Sequence, residues 1–193
     1  MTDFERAAAF TLSERVEGGY VSPEAAARVG DTGGETNRGI TKRDYPDEDI
    51  KELTRERALE IYHRDYWSSE GVQKSLCDRL PWPLNLAHFD CTVNIGNAYR
   101  PKGDDWLWTG NANEILQRAA GVPDDGHIGP ITLAAILMAD PTELALQQID
   151  ERIAFYLKLI EISPSKSVFR GGWLNRCELL RQRVLMGERD FRR

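Results

Sequence analysis

The sequence predicts an all-α fold of two helical lobes, with a small turn or hairpin region over residues 20–41. Three observations carry that prediction. Apolar residues return every three or four positions along several stretches, the spacing of one buried helix face. Clusters of Gly, Pro, Asp and Ser separate those stretches and mark turns. Strand-type alternation is weak everywhere except the glycine-rich segment between residues 20 and 41.

Taken in order, Phe4, Ala8, Leu12 and Val16 recur at i+4 and predict a helix over 4–16. Glu17 then falls at its C-terminal end, where the helix dipole disfavours negative charge and raises a carboxyl pKa. Gly18 and Gly19 end the helix, because glycine takes positive φ without steric cost. Val21–Gly30 reads as a lengthened loop, although Pro23 to Ala27 could make one helical turn. Residues 41–49 are polar, contain Pro46 and read as a turn region. Thr54 is a fitting N-cap, with Leu53 and Ala58 as a hydrophobic staple. The helix after it carries Ala58, Ile61, Tyr62, Tyr66 and Trp67.

Pro81-Trp82-Pro83 breaks the chain. Helical spacing resumes through Leu84, Ala87, His88, Cys91 and Ile95, with Gly96 as the C-cap. A polar connection with Trp106 and Trp108 leads to Leu116-Gln117. There Asp125-Gly126 predicts a tight turn, and Pro130 after Gly129 predicts the first position of a helix. Thr142 is expected to cap a long helix to about Ile160, with Leu144, Leu146, Ile149, Ile153, Tyr156, Leu157 and Ile160 inward. Gly171-Gly172-Trp173 opens the last helix. Its arginines Arg176, Arg181 and Arg183, then Arg189, Arg192 and Arg193, read as a solvated face.

Composition excludes several classes. At 193 residues the chain is long enough for a real core, as one large domain or two small ones. A net charge of −6 argues against nucleic acid as the main partner. No apolar run approaches a membrane span, and charged residues interrupt any secretory leader in the first twenty residues. The expectation is a protein made in the cytoplasm. Cys77, Cys91 and Cys177 are an odd number with no paired spacing, so buried thiols are expected rather than zinc or disulfides. The three histidines show no metal spacing, and His88 is expected to be packed; no metal or cofactor is implied.

The chemistry concentrates between Glu17 and Thr41. One carboxylate at a helix end is followed by a glycine-rich return bearing Asp31 and the hydroxyl of Thr36. Hydrolysis of a glycosidic bond needs such parts: an acid for the leaving oxygen, and a polar group on the far side of the sugar to handle water. Glu35 is a spare carboxylate in the same motif, ranked below Asp31. Tyr20 is a candidate sugar contact, as is Trp67, whose ring is expected to be exposed for stacking. Asn94 could hydrogen-bond an acetamido group or could sit satisfied between packed helices.

Glu17-Gly18-Gly19-Tyr20, followed by Asp31-x-Gly33-Gly34-x-Thr36-x-x-Gly39-Ile40-Thr41, resembles the signature of glycoside hydrolase family 108, the N-acetylmuramidases found in many phages and prophages. Asp90-x-x-Val93-Asn94-x-Gly96 is similar to a second motif of that family, and Gly171-Gly172-Trp173-Leu174-Asn175-Arg176 to its closing motif. The stretch from Leu116-Gln117 to Ile136 resembles small peptidoglycan-binding domains. The resemblance implies a lysozyme-like fold, with a muramidase region over 1–96 and a helical peptidoglycan-binding-like region over 97–193. It implies Glu17 as catalytic acid and Asp31 and Thr36 as the groups that position water. The spacing from Glu17 to Asp31 is longer here than in the family pattern.

The function so implied is hydrolysis of the β-1,4 bond between N-acetylmuramic acid and N-acetylglucosamine, hence cell-wall lysis. Its rivals are a lytic transglycosylase and a non-catalytic peptidoglycan-binding module. The expected partner is peptidoglycan, met as a monomer in the periplasmic wall after release or export. Weak membrane or wall contact by the basic C-terminal helix is a further expectation.

Overall fold

The computed structural model describes residues 1–13, 19–28, 34–97 and 111–186. By backbone contacts it comprises two compact units, Met1–Arg64 and Asp65–Arg193. The fold is all-α and lysozyme-like apart from one short hairpin.

In the first unit, α1 spans Asp3–Thr11. Thr2 caps it: its hydroxyl accepts from Glu5 N at 3.2 Å, while Glu5 Oε2 accepts from Thr2 N at 2.7 Å. The helix stops five residues before the sequence pattern suggested, with Leu12 as its C-cap. Thr11 and Ser13, whose side chains compete for backbone groups, sit where it ends. Residues 14–18, Glu17 among them, lie outside the described residues. The segment read as a loop instead contains a six-residue helix, α2, Pro23–Arg28. Its start is fixed locally: Ser22 Oγ donates to Glu24 Oε2 at 2.7 Å and accepts from Ala25 N at 3.3 Å.

The hairpin expected between residues 20 and 41 is present. Strand β1 is Thr36–Asn37 and β2 is Ile40–Thr41, antiparallel, with Thr36 opposite Thr41. Arg38 and Gly39, at φ 52° and 76°, form the connection. Two successive positive φ values match the twist of a two-residue hairpin. Helix α3, Arg55–Ile61, starts at the expected cap, where Thr54 Oγ1 accepts from Arg57 N at 3.1 Å. It continues as a π turn over Tyr62–Trp67. Ile40, Ile50, Ile61 and Tyr62 are buried with Ala7, Ala8 and Ala58. Each large apolar side chain among them contributes about 1.5–3 kcal/mol relative to exposure.

In the second unit, α4 (Leu84–Ile95), α5 (Ala112–Ala119), α7 (Pro141–Ile162) and α8 (Arg170–Met186) pack together, with α7 against each of the other three. Helix α6, Pro130–Met138, begins as the sequence predicts, with Gly129 at the N-cap and Pro130 at the first turn. The cap of α7 is Asp140 rather than Thr142: Asp140 Oδ1 accepts from Thr142 N and Glu143 N, both at 2.9 Å. The inward face of α7 also differs from expectation. Gln148 and Arg152 are buried, whereas Leu157 is 43% exposed. The reason lies in the partner helix, where α4 presents buried polar side chains to that face.

Candidate functional site

The described part of the glycine-rich return is a two-stranded ribbon, β1 and β2, with Val21 bridged to it as a single residue. Val21 N donates to Thr36 O at 2.8 Å, and Thr36 N to Val21 O at 3.0 Å. Val21 thus lies beside β1 on one edge, while β2 holds the other. The ribbon is tied to its own unit by side chains. Asn37 Nδ2 donates to Ile50 O at 3.0 Å, and Tyr62 Oη donates to Arg38 O at 2.9 Å. Tyr62 is 1% exposed, so a core residue fixes the turn.

Thr36 is half-buried on this ribbon, and its Oγ1 donates to Gly34 O at 3.2 Å. Gly34 sits at φ 76°, which brings its carbonyl under the hydroxyl. With its one proton committed, Thr36 Oγ1 retains lone pairs and can accept a hydrogen bond from water. A water donating one hydrogen to Thr36 and the other to a carboxylate would leave a lone pair free for attack.

Glu35 precedes β1, in a bend beside Thr36. There Glu35 Oε1 accepts from Tyr20 Oη at 2.8 Å. This hydrogen bond raises the Tyr20 pKa, with minor help from desolvation and the Glu35 charge. Tyr20 is 42% exposed, a surface phenol anchored by a carboxylate. Glu17 and Asp31 lie outside the described residues, so this ribbon supplies the Thr36 end of the expected constellation.

The other two expected sugar contacts lie in the second unit. Trp67 corrects the expectation of an exposed ring. It is 5% exposed and packs edge-on against Phe89, with ring centroids 5.4 Å apart. The π turn that ends the α3 segment rotates the indole into apolar surroundings, which the amphipathic spacing alone did not reveal. Asn94, in the last turn of α4, has an exposed side chain whose Oδ1 accepts from Tyr156 Oη.

Beneath Asn94 lies a buried charged cluster that sequence reasoning missed. Asp90, fully buried, accepts from Arg152 Nη1 at 2.7 Å and from Arg176 Nη2 at 2.8 Å. Burial pushes the Asp90 carboxyl up, but the Arg176 and Arg152 guanidiniums outweigh it and hold it below its ordinary value. Arg176 therefore does not belong to the solvated arginine row. Arg181 pairs with Asp150, and Arg189, Arg192 and Arg193 lie outside the described residues. The signal available in the sequence was an Asp in phase with Leu86 and Ala87 on α4 and an Arg in phase with Ile149 and Tyr156 on α7. Burial pushes the Cys91 thiol, beside this cluster, up to about 12. All three cysteines are free and buried.

His88 is packed, as expected. Its Nδ1 lies 2.8 Å from Gln148 Nε2 and its Nε2 lies 3.1 Å from Asn113 Oδ1. The buried ring is thus held between two side-chain amides. Burial lowers its pKa to about 4. The peptidoglycan-binding-like turn is stitched by Gln117. Its Oε1 accepts from Gly126 N at 2.7 Å, and its Nε2 donates to Asp125 Oδ1 at 2.9 Å and His127 O at 3.1 Å. Gly126 is at φ 78°, and an added Cβ would meet Asn111 Nδ2 at 3.0 Å. These residues build the turn. No group of three or more His, Cys, Asp or Glu able to hold a metal occurs among the described residues.

The helical, lysozyme-like fold and the family matches together support a glycoside hydrolase with a peptidoglycan-related region. Residues 10–96 match the family described as Glycosyl hydrolase 108, and residues 111–178 match the one described as Predicted Peptidoglycan domain. The two matches follow one another along the chain, the first over 87 and the second over 68 of its 193 residues. Among solved structures it is similar to that of Brucella abortus SagA, at 29% identity over 97% of each chain, with a TM-score of 0.68. No curated protein matches the chain. The family regions part between residues 96 and 111, whereas the compact units part at 64/65. Helix α4 thus belongs to the hydrolase region by sequence and packs with α5, α7 and α8.

Proposed function

We propose that this protein is a lysozyme-type N-acetylmuramidase that hydrolyses the β-1,4 bond between N-acetylmuramic acid and N-acetylglucosamine in peptidoglycan. The observation that carries this reading is the Thr36 hydroxyl, held by Gly34 O as an acceptor, inside the stretch matched to glycosyl hydrolase 108. Glu17 protonates the leaving oxygen. Asp31 accepts a hydrogen bond from the attacking water and takes that proton as the water's lone pair adds to the anomeric carbon, while Thr36 accepts a hydrogen bond from the other hydrogen, which stays on the new hydroxyl. Glu35, engaged by Tyr20, is not assigned to hold that water. A peptidoglycan domain downstream supports wall glycan as the polymer engaged.

Digestion of purified wall followed by mass spectrometry of the fragments tests the reading. Hydrolysis leaves reducing N-acetylmuramic acid ends. A lytic transglycosylase leaves 1,6-anhydro ends lighter by one water, and that result would replace the hydrolytic mechanism. Wall binding with no new ends of either kind would reduce the protein to a binding module.

A further inference from the structure

Two residues that the proposed mechanism does not use hold each other at the edge of the ribbon. Tyr20 Oη donates to Glu35 Oε1 at 2.8 Å. Each stands one position before a residue of the main-chain bridge, Tyr20 before Val21 and Glu35 before Thr36. The two sides differ in how firmly they are held. On the ribbon side, Glu35 O accepts from Lys42 N at 2.8 Å, one rung beyond the β1–β2 pairs. Asn37 Nδ2 donates to Ile50 O at 3.0 Å, and the buried Tyr62 donates to Arg38 O at 2.9 Å. The segment 19–22 reaches this frame through the two Val21 main-chain hydrogen bonds and the Tyr20 phenol. Among the described residues no other side-chain hydrogen bond joins the two.

What the phenol anchors is the chain that leaves Glu17. The sequence there is Glu17-Gly18-Gly19-Tyr20, and glycine has more backbone freedom to lose than any other residue. A Cβ placed on Gly19 would meet nothing within 4 Å, and Gly19 is not at positive φ, so neither crowding nor a left-handed backbone requires glycine at that position. Tyr20 is the first residue after Glu17 whose side chain can fix the segment. Its phenol remains a donor, because the hydrogen bond to Glu35 raises its pKa.

We infer that Tyr20 and Glu35 are positioning residues for the proposed reaction: their hydrogen bond clasps the chain leaving Glu17 to the ribbon that carries Thr36, and so sets where the acid stands relative to the water. The inference rests on the muramidase reading and adds to it a role for two residues that touch neither the water nor the leaving oxygen. The clasp lies at the surface, so breaking it should cost alignment rather than the fold. Glu35 acts by accepting the phenol proton, and its charge is not required. That separates it from a carboxylate that takes part in the chemistry.

The test uses the full-length protein and soluble, peptide-free glycan strands of peptidoglycan, with chain-end release as the rate. A misplacement of about 1 Å costs about a hundredfold. Because the Val21 bridge still tethers the segment, Tyr20→Phe and Glu35→Ala should each lower kcat by less than that, about tenfold, with KM near the wild-type value. The pair acts as one clasp, so the double variant should be no slower than the slower single variant. Glu35→Gln keeps an oxygen that accepts from the phenol and should keep most of the rate. NMR relaxation supplies a readout apart from activity: the Gly19 amide should become more mobile in Tyr20→Phe and Glu35→Ala, and the Asn37 amide should not. A wild-type rate in either of those variants, or an unaltered Gly19 amide, overturns the inference. So does a raised KM at unchanged kcat, which would make Tyr20 a sugar contact. Glu35→Gln as slow as Glu35→Ala also overturns it, since the charge would then be what matters. The wild type is scored separately. Reducing ends released equally by wild type and variants sink this inference alone. Anhydro ends sink the hydrolytic reading alone, with the clasp scored on the same rates, and a wild type that opens no bond sinks both.

Discussion

Arg176 Nη2 donates to Asp90 Oδ1 at 2.8 Å across 86 residues of sequence, with the carboxylate fully buried and the guanidinium 7% exposed. Together with Arg152 this pair joins α4, α7 and α8 through charge inside an otherwise apolar packing. A buried ion pair is not strongly stabilising against a hydrophobic substitute, but removing one partner leaves an uncompensated charge.

Asp90→Asn should therefore lower unfolding stability by about 3–5 kcal/mol, because two guanidiniums lose their counter-charge. Urea denaturation at neutral pH measures it. A loss below about 1 kcal/mol would mean that water reaches the cluster.

Acid should weaken the fold through His88 before it does so through Asp90. The ring's ordinary pKa of 6.5 drops to about 4 when folded, because burial disfavours the cation. Above 6.5 both states are neutral and this contribution is fully present. Between 6.5 and about 4 the unfolded chain binds a proton that the folded chain refuses, so stability falls. The loss approaches about 3 kcal/mol by pH 4, from roughly 1.4 kcal/mol per pKa unit. Asp90, held below its ordinary 3.8, adds its own loss only below that value. Melts from pH 7.5 to 4 should show this decline, and His88→Gln should flatten it. An equally steep decline in His88→Gln would assign it elsewhere.

Thr36→Ser keeps a hydroxyl that can donate to Gly34 O, and should keep most of the lytic rate. Thr36→Val removes the oxygen and should slow lysis at least tenfold with little change in melting temperature. If the valine variant loses stability, and loses activity only in proportion to the unfolded fraction, Thr36 braces the ribbon and does not hold water.

The helices were legible because their caps and stripes are local. Thr54 before α3, Gly129-Pro130 before α6 and the Asp125-Gly126 turn needed nothing beyond their neighbours in sequence. The hairpin was legible from Gly34 and Gly39. What stayed hidden was set by distant partners. Arg176 read as part of a solvated face, and Arg152 drew no reading, until Asp90, 86 and 62 residues away, was brought to them. Trp67 read as a sugar platform because helical spacing does not register a π turn. Of the candidate site, the motif named the residue types, and hydrogen bonding told Thr36, bound to Gly34 O, from Glu35, bound to Tyr20, which no spacing rule had done.

The central claim is that Glu17 donates the proton that releases the leaving sugar. Glu17→Gln preserves size and hydrogen bonding but cannot give up that proton, and positioned acid catalysis is worth roughly 10²–10⁴-fold. The decisive measurement is the rate of reducing-end release from purified peptidoglycan by wild type and Glu17→Gln, at matched circular dichroism and melting temperature. The account predicts a fall of at least a hundredfold; a variant that keeps more than about a tenth of the wild-type rate would contradict it.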